Sequence, residues 1–193
     1  MDKIIPPSSL QPSRYITPPI PKPSPKKPAH IQLRRTPVNP LPVDAVQQML
    51  RDKNFYDKYD NASGKGITHQ YESVERHGAK LVSDHATGLT WQQGGSEKYL
   101  SFKDVEAYIG QLNAKNYGGY TDWRLPTLEE AMSLMEPKVH EGLYIDPVFD
   151  RTQTWIWTAD LESAGRVWCV DFNYGSCDHL DVDAGFYVRA VRS

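Results

Sequence analysis

The chain is 193 residues long, 39% hydrophobic, 11% aromatic and 24% charged, which is the composition of a globular protein with room for one ordinary domain and a tail. Its formal net charge of -2 excludes bulk attraction to nucleic acid, and no apolar run approaches the roughly 20 residues that a membrane span needs. Two cysteines make no disulfide framework, and prolines from Pro6 onward interrupt any signal-peptide core. The expected compartment is therefore the cytoplasm by default, with surface display by another route left open.

Residues 1–42 hold 12 of the 15 prolines and seven Lys or Arg against the single acid Asp2. Proline removes backbone donors and fixes φ, and few large apolar residues are present to bury, so a disordered basic arm is expected. It is a spacer or a docking peptide, since Pro18-Pro19-Ile20-Pro21 and the run from Pro21 to Lys27 are similar to ligands of aromatic-lined grooves. Residues 43–193 keep 15 bases against 23 acids, a net charge of about -8. Asp44 is placed as the cap of a short helix with Val46, Met49 and Leu50 at helical spacing. The stretch 57–66 is polar and turn-like. A strand over 80–83 leads through Asp84-His85-Ala86-Thr87-Gly88, a turn, to a strand over 89–92. Ser101 is placed as the cap of a helix with Phe102, Val105, Ile109 and Leu112 on one face. Thr127 and Glu130 form the capping box of a second helix carrying Leu128, Ala131, Met132 and Met135, which Pro137 ends. Strands over 154–158, 166–172 and 187–192 follow, with turn-rich sequence between them. This is an α+β pattern.

The segments Asp84-His85-Ala86-Thr87-Gly88-Leu89-Thr90-Trp91, Gly118-Gly119-Tyr120-Thr121-Asp122-Trp123-Arg124-Leu125-Pro126-Thr127, Ile145-Asp146-Pro147-Val148-Phe149 and Trp155-Ile156-Trp157-Thr158 resemble, in this order, the bacterial Lcl C-terminal domain family. The resemblance covers residues 78–193, leaving 43–77 as an N-terminal extension. It implies a C-type-lectin-like fold: two helices around a small twisted antiparallel β core, with long binding loops and the N- and C-terminal strands brought together. In that frame Trp123 fills the core, Arg124 holds loops through several hydrogen bonds, and at least one of Trp155 and Trp157 is core.

The end of the chain, residues 168–193, is similar to variable proteins of diversity-generating retroelements, in which mutagenic reverse transcription substitutes at adenines. Rewriting the Asn codon AAC cannot yield Lys, Glu, Gln, Met or Trp. Residues 169–186 contain none of these five types, although they make up 39 of the 193 residues. Chance gives such a gap roughly one time in fifty. Trp168, Val170, Phe172, Gly175, Val182 and Tyr187 then look like fixed scaffold, with Gly185 in either set. Cys169, Asp171, Asn173, Tyr174, Ser176, Cys177, Asp178, His179, Leu180, Asp181, Asp183, Ala184 and Phe186 are the candidate ligand-binding positions. Strand alternation sets Trp168, Val170 and Phe172 toward the core, and Cys169 and Asp171 toward solvent or ligand. The composition is that of an antibody-like paratope, and exposed positions such as Asp171, Tyr174, His179 and Phe186 are expected to add little to stability.

Chemistry is not expected here. Cys169 and Cys177 invite comparison with formylglycine-generating enzymes, which share this fold, but their spacing and flanks do not match, and Asp171 and Asp178 nearby oppose a low-pKa thiolate. The four aspartates between 171 and 183 read as solvated acids, because calcium needs six to eight converging oxygens. The sugar-binding Glu-Pro-Asn motif is also absent, Lys138 following Glu136-Pro137. No cofactor, metal or catalytic residue is assigned. The expected function is recognition of a protein or glycan ligand, with an oxidase relative or a structural, oligomerising domain as the alternatives.

Overall fold

The computed structural model describes Met1 and residues 30–193. Both docking-peptide candidates of the arm lie outside the described residues. The elements are α1 (Val43–Asp52), β1 (Tyr71–Arg76), β2 (Ala79–Asp84), β3 (Leu89–Gln92), β4 (Leu100–Ser101), α2 (Phe102–Ala114), α3 (Leu128–Ser133), β5 (Trp155–Ser163), β6 (Arg166–Asp171), β7 (Ser176–Asp181), β8 (Gly185–Phe186) and β9 (Val191–Arg192). They form an α+β domain whose strands pair antiparallel in three sheets, ordered β1-β2-β3-β9, β4-β8 and β5-β6-β7.

The first sheet starts from a hairpin. Arg76 pairs with Ala79, so the connection is the dipeptide His77-Gly78, and both residues have positive φ, 50° and 75°. Two left-handed residues match the twist of the flanking strands, and glycine takes one of them without penalty. Between β2 and β3 the buried Asp84 carboxylate organises the turn. It accepts hydrogen bonds from the Gln70 and Ala86 amides at 3.1 Å and from the Thr87 hydroxyl at 2.5 Å, and faces the His69 ring at 2.7 Å. Burial pushes the acid up, but the bonds from His69 and Thr87 outweigh it and hold it down to about 2. Strand β9 completes this sheet at the edge opposite β1, pairing Thr90 with Arg192 and Trp91 with Val191 of β3 and β9.

One helix cap differs from expectation in position, while Ser101 stands at the N-cap of α2 as expected and differs only in its bonding. Pro42, not Asp44, precedes α1, and Asp44 lies in the first turn, where its charge suits the helix dipole. Ser101 makes no cap bond to the backbone of α2; its hydroxyl donates to the Asp104 carboxylate at 2.6 Å. The capping box of α3 is present in both directions: Thr127 Oγ1 accepts from the Glu130 amide, and the Thr127 amide donates to Glu130 Oε2 at 2.9 Å. All six residues of α3 are buried, Glu129 and Glu130 among them. Buried carboxylates are stable only when paired. Arg124 grips Glu130 with two bonds of 2.7 Å, and Lys53 Nζ lies 2.8 Å from Glu129. Trp123 is buried, its indole N–H donating to the Tyr117 carbonyl.

The same helix anchors residues 30–42, and this corrects the expected boundary at residue 42. Leu33 and Leu41 are buried in the main core. Arg34 makes a bidentate pair with the buried Asp160 at 2.8 and 2.9 Å, and its amide donates to Glu129. The Thr127 hydroxyl donates to the Arg34 carbonyl, and the Trp168 indole donates to the Leu41 carbonyl. Pro37, Pro40 and Pro42 carry no backbone donors that need partners, and the contacts of Leu33, Arg34 and Leu41 supply the cohesion that proline density alone does not suggest.

Candidate ligand-binding surface

Strand β6 is the middle of its sheet, and both of its faces are covered. Trp168, Val170 and Phe172 point into the main core with α3 residues Leu128 and Met132. Val167 and Cys169 point the other way, into a cluster with Val105 of α2, Trp157 and Val188. The alternation expected along the strand is therefore present, but its second face meets α2 and the β8–β9 segment, not solvent. Cys169 is 0% exposed and Asp171 1%. Ser176 is buried too, so these three do not stand on the surface with the other candidates. Burial pushes both the Cys169 and the Cys177 thiols well up from their ordinary value, aided by Asp178 and Asp171 for the first and Asp57 for the second.

The hairpin from β6 to β7 turns on Asp171. Its Oδ1 accepts from the Asn173 amide at 2.8 Å and the Tyr174 amide at 3.2 Å, and its carbonyl accepts from Gly175. Gly175 has φ +74°, and a Cβ there would lie 2.9 Å from the Tyr144 ring, so the turn admits no other residue without rearrangement. Segment 176–181, expected to be turn-like, is the edge strand β7. Its outer face and the turns around it carry the remaining candidates. Asn173, Tyr174, Asp178, Asp181 and Asp183 are exposed; Cys177, His179, Leu180, Ala184 and Phe186 are half-buried. Phe186 is held between Trp155, stacked at 5.1 Å, and Trp157, edge-on at 4.7 Å, and His179 lies edge-on to Trp168 at 4.9 Å. These two side chains serve packing as well as surface. Asp171, Asp178, Asp181 and Asp183 do not converge, and among the described residues no group of three or more His, Cys, Asp or Glu is arranged to hold a metal ion.

One concavity lies among these positions. The pairing register sets Trp155, Asp171 and Ser176 side by side across β5, β6 and β7, with Asp178 one step along on the same face. Together with Tyr174 from the turn and Tyr59 from the loop after α1, they line a cavity of about 210 Å³. Trp155 is half-buried while Trp157 is fully buried, so one of the pair is core, as expected, and the other lines the cavity. Tyr59 was not signalled by sequence, because it sits in a stretch that reads only as polar turn. Asp57 places it: this buried carboxylate accepts from the Tyr59 and Asp60 amides and, across to β7, from the Cys177 amide. Asp171 Oδ2 is buried without a hydrogen-bond partner among the described residues. Burial raises this carboxyl, and the neighbouring Asp178 adds to it, although the two amides oppose them; the result is a value of about 6.

Among protein families, the model of the Lcl C-terminal domain matches residues 80–192. The chain belongs to the Lcl C-terminal domain family. Comparison with curated proteins gave no match. No helix among the described residues is long and apolar enough to cross a membrane.

Proposed function

We propose that this protein is a ligand-recognition domain of C-type-lectin-like fold whose β6–β8 region is a diversified binding surface, as in the variable proteins of diversity-generating retroelements. Recognition is carried by Asn173, Tyr174, Cys177, Asp178, His179, Leu180, Asp181, Asp183, Ala184 and Phe186, for a protein or glycan ligand. The observation that carries this reading is the division of one contiguous segment into two sets. Trp168, Val170 and Phe172 are locked in the core, while Asn173, Tyr174 and Asp178 beside them are exposed on turn and edge strand. A scaffold that holds its shape while its surface residues change is what a rewritable paratope needs. The closure of β3 by β9 and the two helices of the matched region support the lectin-like assignment. An oxidase role has no comparable support, since burial and nearby carboxylates raise both thiols, opposite to the shift that a reactive thiolate needs. The proposal is tested by sequencing the DNA that flanks the gene. A near-identical template copy beside a reverse transcriptase is expected, with adenines in the codons of the exposed set and none in those of Val170 and Phe172. Absence of a template, or adenines spread equally over the core codons, overturns it.

A further inference from the structure

We propose that the cavity between Tyr59, Trp155, Asp171, Tyr174, Ser176 and Asp178 is a subsite for the cationic side chain, lysine or arginine, of a protein ligand. The inference rests on the recognition surface proposed above and names the chemistry that one part of it takes. Asp171 is 1% exposed, and its Oδ2 has no partner among the described residues. A buried carboxylate oxygen left without a donor is costly and asks for one. A second carboxylate, Asp178, stands exposed at the rim of the same cavity, so two carboxylates line it and no described salt bridge involves either. Three aromatic rings, Trp155, Tyr59 and Tyr174, complete the wall, and ring faces attract cations most strongly when the carrier is also desolvated. Tyr59 and Tyr174 are 71% and 58% exposed, so both rings are open to a partner, and Tyr is a residue type enriched where proteins meet. The volume, about 210 Å³, is below that of pockets for drug-sized ligands and suits one long side chain. The net negative charge of the surrounding domain favours approach of a basic partner.

The orphaned oxygen also decides between kinds of cation. A quaternary ammonium, as on a choline headgroup, fits an aromatic wall but has no N–H to give to Oδ2. A lysine ammonium or an arginine guanidinium has several. A calcium ion needs six to eight oxygens in fixed geometry, more than this floor and rim supply.

The test titrates the full chain with Nα-acetyl-lysinamide and Nα-acetyl-argininamide at low salt, following the indole N–H resonance of Trp155. Nα-acetyl-norleucinamide, tetramethylammonium chloride and calcium chloride are the controls. A saturable shift with the two N–H cations in the millimolar range is expected, as for a single side-chain contact. It should weaken about tenfold or more in Asp171→Asn and in Asp178→Asn, as loss of a charge-assisted contact requires. An equal response to norleucinamide makes the cavity a plain apolar pocket, and a response to tetramethylammonium or to calcium alone assigns it to a lipid headgroup or a metal ion. Each of these, an unchanged response in both variants, or no shift up to about 100 mM probe, overturns the proposal. Failure here leaves the template search untouched, and a missing template leaves this titration untouched, so the two readings fail separately.

Discussion

Asp171 shows how one side chain can serve a turn and burden the fold at once. One oxygen holds the Asn173 and Tyr174 amides while the other is buried without a donor. Its folded value, about 6, lies above the ordinary 3.8. The folded protein favours the protonated acid, so the stability this group contributes is complete below about pH 4 and is lost as pH rises through about 6. Asp171→Asn keeps the amide acceptor and removes the charge. The variant should melt higher than the parent at pH 7.5, by about 1–2 kcal/mol once screening by water in the adjoining cavity is allowed for, and the gap should close by about pH 4. Thermal melts across that range decide it, and a variant less stable at neutral pH contradicts the assignment. Tyr174 and Phe186 make the companion contrast. Both were expected to be surface positions of little structural consequence, but Phe186 is packed between Trp155 and Trp157. Phe186→Ala should cost about 2–4 kcal/mol through lost aromatic packing, and Tyr174→Ala less than about 1 kcal/mol, as usual for an exposed side chain. Denaturant titrations of the two variants should separate clearly.

At the scale of elements, the short helix α3 depends on its neighbours. Six residues are too few to be stable alone, and this helix is buried throughout with two acids in its first turn. Its carboxylates are met by Arg124 from the preceding loop, Lys53 from the end of α1 and the Arg34 amide from the segment before α1, and Asp160 of β5 accepts from the Leu128 amide. Asp160 in turn accepts from the two terminal guanidinium nitrogens of Arg34 and from the Val38 amide. Deleting residues 30–42 therefore leaves Asp160 buried without its cation and exposes the sites of Leu33 and Leu41. A chain beginning at Val43 should lose about 3–5 kcal/mol, the usual cost of breaking a buried pair from one side, seen as a large drop in melting temperature. A chain beginning at His30 keeps these contacts and is the control. Equal melts for the two truncated chains would show that the segment only lies on the surface.

For the whole molecule, short-range signals were legible and long-range coverage was not. The capping box Thr127–Glu130, the Asp84–Gly88 turn, the apolar face of α2 and the family resemblance all live within a few residues of sequence, where spacing and backbone preference act directly. The alternation of β6 was legible in the same way. That both of its faces are buried was not, because a face becomes interior only when α2 and the strand before β9 fold over it from elsewhere in the chain. The edge strand β7 was read as turn because its polar residues suit an exposed edge, and only pairing with β6 makes it a strand. The cavity has the same origin. Tyr59, Trp155, Asp171 and Asp178 come from four separate stretches, and Asp57 and the sheet register alone bring them together. By itself the sequence determined the α+β class, the helix cap of α3, the strand periodicity and the family, because each is set by local backbone chemistry or by residues adjacent in the chain. Tertiary structure decided which candidate positions reach solvent, where the proline-rich segment begins to bind the domain, and which acid is left without a donor, because burial depends on what lands on a residue from far away.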